Sequence, residues 1–333
     1  MASTEGRVVV LGTGGTIAGT AASATDSVGY KAAQLGVLAL VAAVPPLAGL
    51  PLESHQVAQI DSCDAGPALW LALLQELQPA LRDRKVSGVV ITHGTDTLEE
   101  TAYLLHRLLP AGKPVVLTAA MRPASALQPD GPQNLLDAVT LARQAVWPGV
   151  QAVLGGQVFA ATDLRKQHGW RVDAFGAGDA GPLGWVQDGQ VLHHRDAPEA
   201  TRHAARLRLP ADPAQWPVVD LVTSYAGARG ATIDALVAAG AQGLVIAGTG
   251  NGSLHYSLRE AAQRAVAAGV PVVRASRCQL SGVFGAPPGA LPSYGALTAV
   301  QARIELMLDL IAAQPRRRRA KAATPARPAS IRA

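Results

Sequence analysis

Three short polar clusters hold the residues with which this chain could do chemistry. Gly12-Thr13-Gly14-Gly15-Thr16, Asp61-Ser62-Cys63-Asp64 and Thr92-His93-Gly94-Thr95-Asp96-Thr97 each follow a run rich in β-branched residues. Hydroxyls, carboxylates and glycines in such turns suit attack on a carbonyl and stabilisation of the charge that develops there. A fourth segment, Asp163-Leu164-Arg165-Lys166, adds a lysine. Beside Thr95 and Asp96, that lysine would act as a proton carrier, its balance tuned by the aspartate and by burial.

Other chemistries fit less well. A dinucleotide fingerprint starting at Gly12 and Gly14 needs a third glycine where the chain has Ile17. A phosphate loop from Gly14 to Gly19 needs a lysine next and meets Thr20. Histidines show no metal-binding spacing, and Cys63 and Cys278 make neither a zinc pattern nor a disulfide framework. No G-x-S-x-G elbow occurs, and no serine has a lysine three residues later. Neither a metal nor an organic cofactor is expected. A hydroxyl nucleophile here must be activated by lysine, tyrosine or carboxylate.

The clusters need a scaffold, and the hydrophobic pattern supplies one. Strands are expected at Arg7–Leu11, His55–Ile60, Gly88–Ile91, Pro114–Leu117 and Gln151–Leu154, and helices at Ala33–Ala43, Pro67–Leu81, Leu98–Leu109 and Asn134–Val146. Asp96-Thr97 can cap the third helix, whose first turn carries Glu99 and Glu100. Beyond Pro217 the alternation resumes, with strands at Val218–Thr223, Leu244–Ala247 and Val270–Arg274 and helices at Ile233–Ala239, Leu254–Ala268 and Thr298–Ala313. Short β–α–β repeats imply an α/β fold of parallel-sheet βα layers. The clusters then share one address, the carboxyl edge of a parallel sheet, where such folds place ligands.

The expected organisation is a large N-terminal α/β domain over 1–186, a proline-rich connection over 187–217, a smaller α/β domain over 218–313 and a basic tail over 314–333. The chain has 333 residues, 49% apolar and 16% charged, enough for a sizeable core. Its net charge of +5 is misleading, because the tail holds seven basic and no acidic residues, leaving −2 on the rest. That Ala/Pro-rich tail is expected to be disordered and solubilising, and nucleic acid is not expected as a partner. No apolar run is long enough for a membrane helix, and no signal-peptide pattern opens the chain, so cytoplasmic residence is expected.

Two longer motifs identify a resemblance. Thr13-Gly14-Gly15-Thr16-Ile17-Ala18-Gly19 and Ile91-Thr92-His93-Gly94-Thr95-Asp96-Thr97-Leu98-Glu99-Glu100-Thr101-Ala102 resemble the two signatures of bacterial-type L-asparaginases. The similarity continues through Ala120-Met121-Arg122-Pro123, Asp130-Gly131-Pro132, Asp163 to Lys166 and Ala247-Gly248-Thr249-Gly250-Asn251-Gly252. It implies cofactor-free hydrolysis of the asparagine side-chain amide to aspartate and ammonia, with glutamine also accepted by some members. It further implies Thr16 as nucleophile with Tyr30 as its partner on a mobile loop, and Thr95, Lys166 and Asp96 as a second catalytic set. Ser62 would hold the substrate carboxylate, Asp96 its ammonium, and Asn251 would reach a neighbouring subunit's site in a homotetramer built as a dimer of dimers.

The chain departs from that pattern twice. Cys63 stands where secreted members commonly carry glutamine, and its bland reading is a small buried filler. No acidic residue lies between Arg277 and Thr298, where members often bring a carboxylate to the tyrosine, so Tyr30 must be oriented otherwise and a weaker KM is expected. Competing readings are a glutaminase-asparaginase of mixed specificity, an amidotransferase subunit, which would be expected to carry an extra N-terminal domain, and an amino-acid sensor on the same fold. A pure binder has no need of Thr16, Thr95 and Lys166 together.

Overall fold

The computed structural model describes residues 6–26, 28–198 and 207–314; the basic tail lies outside them. Five strands, β1 (Arg7–Gly14), β2 (Leu52–Ile60), β3 (Val86–Thr92), β4 (Pro114–Thr118) and β5 (Gly149–Leu154), pair in parallel, with β1 between β2 and β3. Both faces of this sheet are covered. Val9 and Leu11 of β1 pack with Leu73 and Leu77 of α2 (Pro67–Arg82) and Leu98 and Leu105 of α3 (Leu98–Leu108). Val8 and Val10 point the other way, onto α1 (Val37–Ala42) and α4 (Gly131–Gln144), because successive strand residues face opposite sides. Strands buried on both faces read as continuous apolar runs, which is why they are legible in the sequence.

The sheet is not parallel throughout. The strands β6 (Gln157–Ala160), β9 (Gly184–Gln187) and β10 (Gln190–His193) extend it antiparallel to eight strands. Two-residue turns make these hairpins, Gly155-Gly156 at φ +54° and +73° and Asp188-Gly189 at φ +50° and +73°. Both central residues take positive φ, as type I′ turns require. Residues 190–193, expected in the connection, form instead the edge strand of the large sheet. His193 does not sit in a linker but stacks on Trp147 with ring centroids 5.3 Å apart.

The expected helix over 33–43 also shrinks. Ala33 takes φ +56°, its amide donates to Gly15 O, and the regular helix begins only after Gly36. A two-stranded ribbon, β7 (Arg165–Lys166) with β8 (Phe175–Gly176), stands apart from the main sheet. The second α/β unit has three parallel strands, β11 (Val219–Thr223), β12 (Gly243–Gly248) and β13 (Val272–Ser276), with α5 (Ala231–Ala238), α6 (Tyr256–Ala267) and α7 (Ala299–Ala313).

The two units share a core. Trp70 of α2 and Tyr103 and Leu104 of α3 pack with Trp216, Ile304, Met307 and Leu308. Arg107 donates to both oxygens of Glu305 at 2.7 and 2.6 Å, and Tyr103 adds its hydroxyl at 2.9 Å. Further along α7, Gln301 donates its amide to Thr162 O at 2.9 Å, just ahead of β7. The small unit thus grips both α3 and the segment that carries Lys166.

Candidate active site

Glycine contact brings the first and third polar clusters together. Gly14 and Gly15 take φ +103° and +78°, and a Cβ on Gly15 would lie 2.3 Å from the Cα of Gly94. Only glycine on both sides lets two backbones approach so closely. The turns after β1 and β3 therefore touch, which brings the segments bearing Thr16 and Thr95 side by side. The β1–β2 register also slips between Gly12 and Gly14, where Gly15 N donates to Ile60 O at 2.9 Å.

Ser62 ties the second cluster to the third. It is 2% exposed, its Oγ accepts the Asp96 N–H at 3.1 Å, and its carbonyl accepts the Thr97 hydroxyl at 2.7 Å. With an N–H already accepted, the Ser62 hydroxyl keeps its own proton to donate to a ligand. The same bond corrects the expected cap: Thr97 stands at the N-cap of α3, but neither it nor Asp96 caps the helix with its side chain, because the Thr97 hydroxyl is spent on Ser62.

Behind this turn lies a buried hydrogen-bond chain to which sequence reasoning assigned no role. Trp70 Nε1 donates to Thr101 Oγ1 at 3.1 Å, Thr101 Oγ1 lies 3.1 Å from His93 Nε2, and His93 Nδ1 lies 2.8 Å from Gly94 O. A carbonyl can only accept, so Nδ1 carries the proton and Nε2 accepts from Thr101. Burial pushes the His93 imidazole below its usual range and keeps it neutral. The chain thereby fixes the Gly94 carbonyl, one residue before Thr95.

Thr16 is buried, and its Oγ1 lies 2.6 Å from the hydroxyl of Tyr30. Tyr30 ends a loop whose base is closed by two bonds between Thr20 and Lys31 and whose outer part rests on residues 124–127. Ala124 N donates to Gly19 O, Leu127 N donates to Ala24 O, and Ala21 N donates to Ser125 Oγ at 2.7 Å. The Tyr30 ring packs against Gly19, where a Cβ would come within 2.8 Å of Cδ2. Among the described residues, Tyr30 is oriented by Thr16, by the Thr20–Lys31 bridge and by Gly19.

Lys166 joins the set from the two-residue strand β7. Its Nζ donates to Thr95 Oγ1 at 2.9 Å and to Asp96 Oδ1 at 2.5 Å. The lysine side chain is 15% exposed and the aspartate 51%, so the pair sits at the rim with its cationic end covered. Glu99 lies beside it, its carboxyl accepting the Lys166 backbone N–H at 3.2 Å. Burial pushes that carboxyl up to about 7. The expectation for Glu99 was only that it complements the helix dipole; its partner lies 67 residues away, and no local pattern signals it.

Two further expected site residues stand at exposed positions. Cys63 is exposed, not a buried filler. Partial desolvation and the carboxylates of Asp61, Asp64 and Asp96 push its thiol upward, which favours the protonated form. Asn251 lies in the small unit, where its side chain donates to Phe284 O at 2.7 Å and accepts Phe284 N–H at 2.6 Å. Among the described residues no group of His, Cys, Asp and Glu side chains is placed to hold a metal ion, and no helix is long and apolar enough to cross a membrane.

Comparison with known proteins gives a consistent result. The family described as "Asparaginase, N-terminal" matches residues 7–199, and "Glutaminase/Asparaginase C-terminal domain" matches residues 218–322. L-asparaginase 2 of Escherichia coli (strain K12) is 37% identical over 91% of this chain and 88% of its own length. Glutaminase-asparaginase of Pseudomonas fluorescens biotype A is 36% identical over 83% of this chain and 76% of its own. The crystal structure of a probable cytoplasmic L-asparaginase from Campylobacter jejuni superposes with TM-score 0.86 at 35% identity, covering 92% of this chain and 95% of that one.

Proposed function

The chain belongs to the bacterial-type L-asparaginase family, and on that premise we propose that it hydrolyses asparagine to aspartate and ammonia through Thr16, with Lys166, Thr95 and Asp96 driving proton transfer. One observation carries the assignment of roles: two hydroxyl systems, Thr16–Tyr30 and Thr95–Lys166–Asp96, stand on turns whose backbones touch at Gly15 and Gly94.

The hydrogen-bond directions set the chemistry. Thr16 Oγ1 forms the bond to the carboxamide carbon as its proton passes to the Tyr30 oxygen across 2.6 Å and Tyr30 hands its own hydroxyl proton on to solvent, a relay that runs backward when Thr16 is released. Negative charge then develops on the carbonyl oxygen and needs backbone N–H donors. Gly15, Ala18 and Gly19 already donate to Ile60 O, Gly15 O and Thr16 O, so this role falls to other amides of the turns. Thr95 accepts from the Lys166 ammonium and therefore turns its own proton outward, toward the leaving nitrogen. Protonation there releases ammonia and leaves an acyl group on Thr16. A water then attacks the acyl carbon, giving a proton to Thr95 as the Thr16 oxygen recovers its own. Ser62 donates to the substrate α-carboxylate, and Asp96 receives the α-ammonium.

Mixed specificity for glutamine is the second reading, favoured by Cys63, an exposed thiol that offers no carboxamide beside the substrate's amino end. Assembly as a homotetramer fits the exposed place of Asn251 in the small unit, and contact with a neighbour's substrate would require its pair with Phe284 to open. Cytoplasmic residence rests on the similarity to the Campylobacter jejuni protein. We place the boundary of the large domain after β10, and that of the small one before β11.

Ammonia release by purified protein tests these roles. Thr16→Ala, Thr95→Ala and Lys166→Met should each lower kcat by ~10²–10³ with unchanged melting temperature. A Thr16→Ala variant keeping more than about a tenth of parent turnover refutes the nucleophile, and asparagine and glutamine run side by side separate the two readings.

A further inference from the structure

We propose that Glu99 is a positioning residue for Lys166, its carboxyl serving as the missing sheet partner of the strand on which that lysine stands. The proposal rests on the proton-transfer role given to Lys166 above.

β7 is two residues long and, among the described residues, pairs only with β8, Arg165 opposite Gly176 and Lys166 opposite Phe175. Gln167 N donates to Ala174 O across this ribbon at 2.7 Å. Alternation in an antiparallel pair then turns the Lys166 N–H away from β8, toward a side on which the described residues place no strand. A half-buried amide without a partner is costly, and the ribbon would have little to hold it in place. Glu99 Oε2 fills the gap at 3.2 Å. Glu99 stands in the first turn of α3, three residues after Asp96 and four after Thr95. The result is a closed ring, in which the turn binds Lys166 at its Nζ through Thr95 and Asp96, and the helix start binds the same residue at its backbone through Glu99.

The charge of Glu99 decides how firmly the ring closes. Glu100 faces it from its own helix, and Arg165 and Lys166 from β7. An ionised carboxylate accepts an N–H about twice as strongly as a neutral acceptor. Burial brings this ionisation close to neutrality, so the fraction of enzyme with a firmly held Lys166 rises as pH increases through that range.

The experiment compares kcat, KM and pH profiles of the parent with Glu99→Ala, Glu99→Gln and Lys166→Met, with melting temperatures as a check on folding. In the parent, kcat should rise with pH along a limb centred near 7. Glu99→Ala should lower kcat ~10-fold or more with KM changed less than ~3-fold. Glu99→Gln keeps a neutral acceptor of the same length, so the limb should disappear and its kcat should match the low-pH plateau of the parent, within ~3-fold of the parent's highest value. A limb unchanged in Glu99→Gln overturns the proposal, as does a folded Glu99→Ala with kcat within ~2-fold of the parent. Should Glu99→Ala fail to fold, the Glu99→Gln profile decides alone. Lys166→Met separates the two levels: if it stays active, the role of Lys166 fails, whereas if it is inactive while the Glu99 variants behave as the parent, only the positioning role fails.

Discussion

Gly94→Ala is the most direct challenge to the way the site is assembled. A Cβ at this position would lie 2.5 Å from Ser62 Oγ and 2.7 Å from Ser62 Cβ, with Gly15 Cα at 3.2 Å. Gly94 is not among the positive-φ glycines, so the substitution adds bulk without backbone strain. Ser62 is 2% exposed and cannot swing into solvent. The added methyl must therefore push the two turns apart, at a cost of ~1–3 kcal/mol for overpacking a tight site. For units of this size that lowers the melting temperature by ~2–12 °C. Function should suffer more, because the bonds from Asp96 N and the Thr97 hydroxyl to Ser62 are lost. A misplacement of ~1 Å in such a constellation costs about 100-fold in rate. Ammonia release measured beside thermal melting gives both numbers. Gly49→Ala is the control, since its Cβ would meet nothing within 4 Å and it carries only a φ of +81°. It should lose ~1–2 kcal/mol of stability and no activity. A Gly94→Ala enzyme with kcat/KM within ~3-fold of the parent would show that the turns need not touch.

Thr101→Val keeps the shape but leaves Trp70 Nε1–H and His93 Nε2 without partners, and should cost ~2–5 kcal/mol, read by denaturant unfolding. Glu305→Ala removes the carboxylate that accepts from Arg107 and Tyr103 between the two units, and should lose ~1–3 kcal/mol in the same measurement. The Glu99 carboxyl titrates near 7 when folded and near 4.5 when unfolded, so between these values the folded state binds more protons and stability falls as pH rises. Glu99→Gln removes that slope and should melt higher than the parent above pH ~7, even as its pH–rate limb is lost. A lower melting temperature there would contradict the buried charge.

The parallel strands were legible because both faces are buried, which leaves unbroken runs such as Val8–Leu11 and Val89–Ile91. The antiparallel extension had a signal that went unread: Gly155-Gly156 and Asp188-Gly189 are hairpin dipeptides between apolar runs. The helix start at Ala33 misled because alanine favours helix, whereas contact with Gly15 O forces this alanine into a left-handed backbone. Thr16, Ser62, Thr95 and Asp96 were visible as polar interruptions at strand ends. Lys166 was found only by its neighbours in sequence. Glu99, His93 and Thr101 stayed silent because their partners lie across space, and a carboxylate in a first helical turn has an ordinary explanation in the dipole.

Among the described residues, the hydroxyls and the lysine given roles in the reaction come from the first half of the chain, yet their geometry is set partly from the other end. Gln301 holds the carbonyl of Thr162, and Arg165 reaches the carbonyls of Gln279 and Ala296, so the ribbon bearing the lysine is moored at both margins to the small unit. Severed at the connection, the first half would keep its hydroxyls and lose the anchorage that aims the ammonium at them. Damage to the C-terminal unit would then read out as a chemical defect at that ammonium.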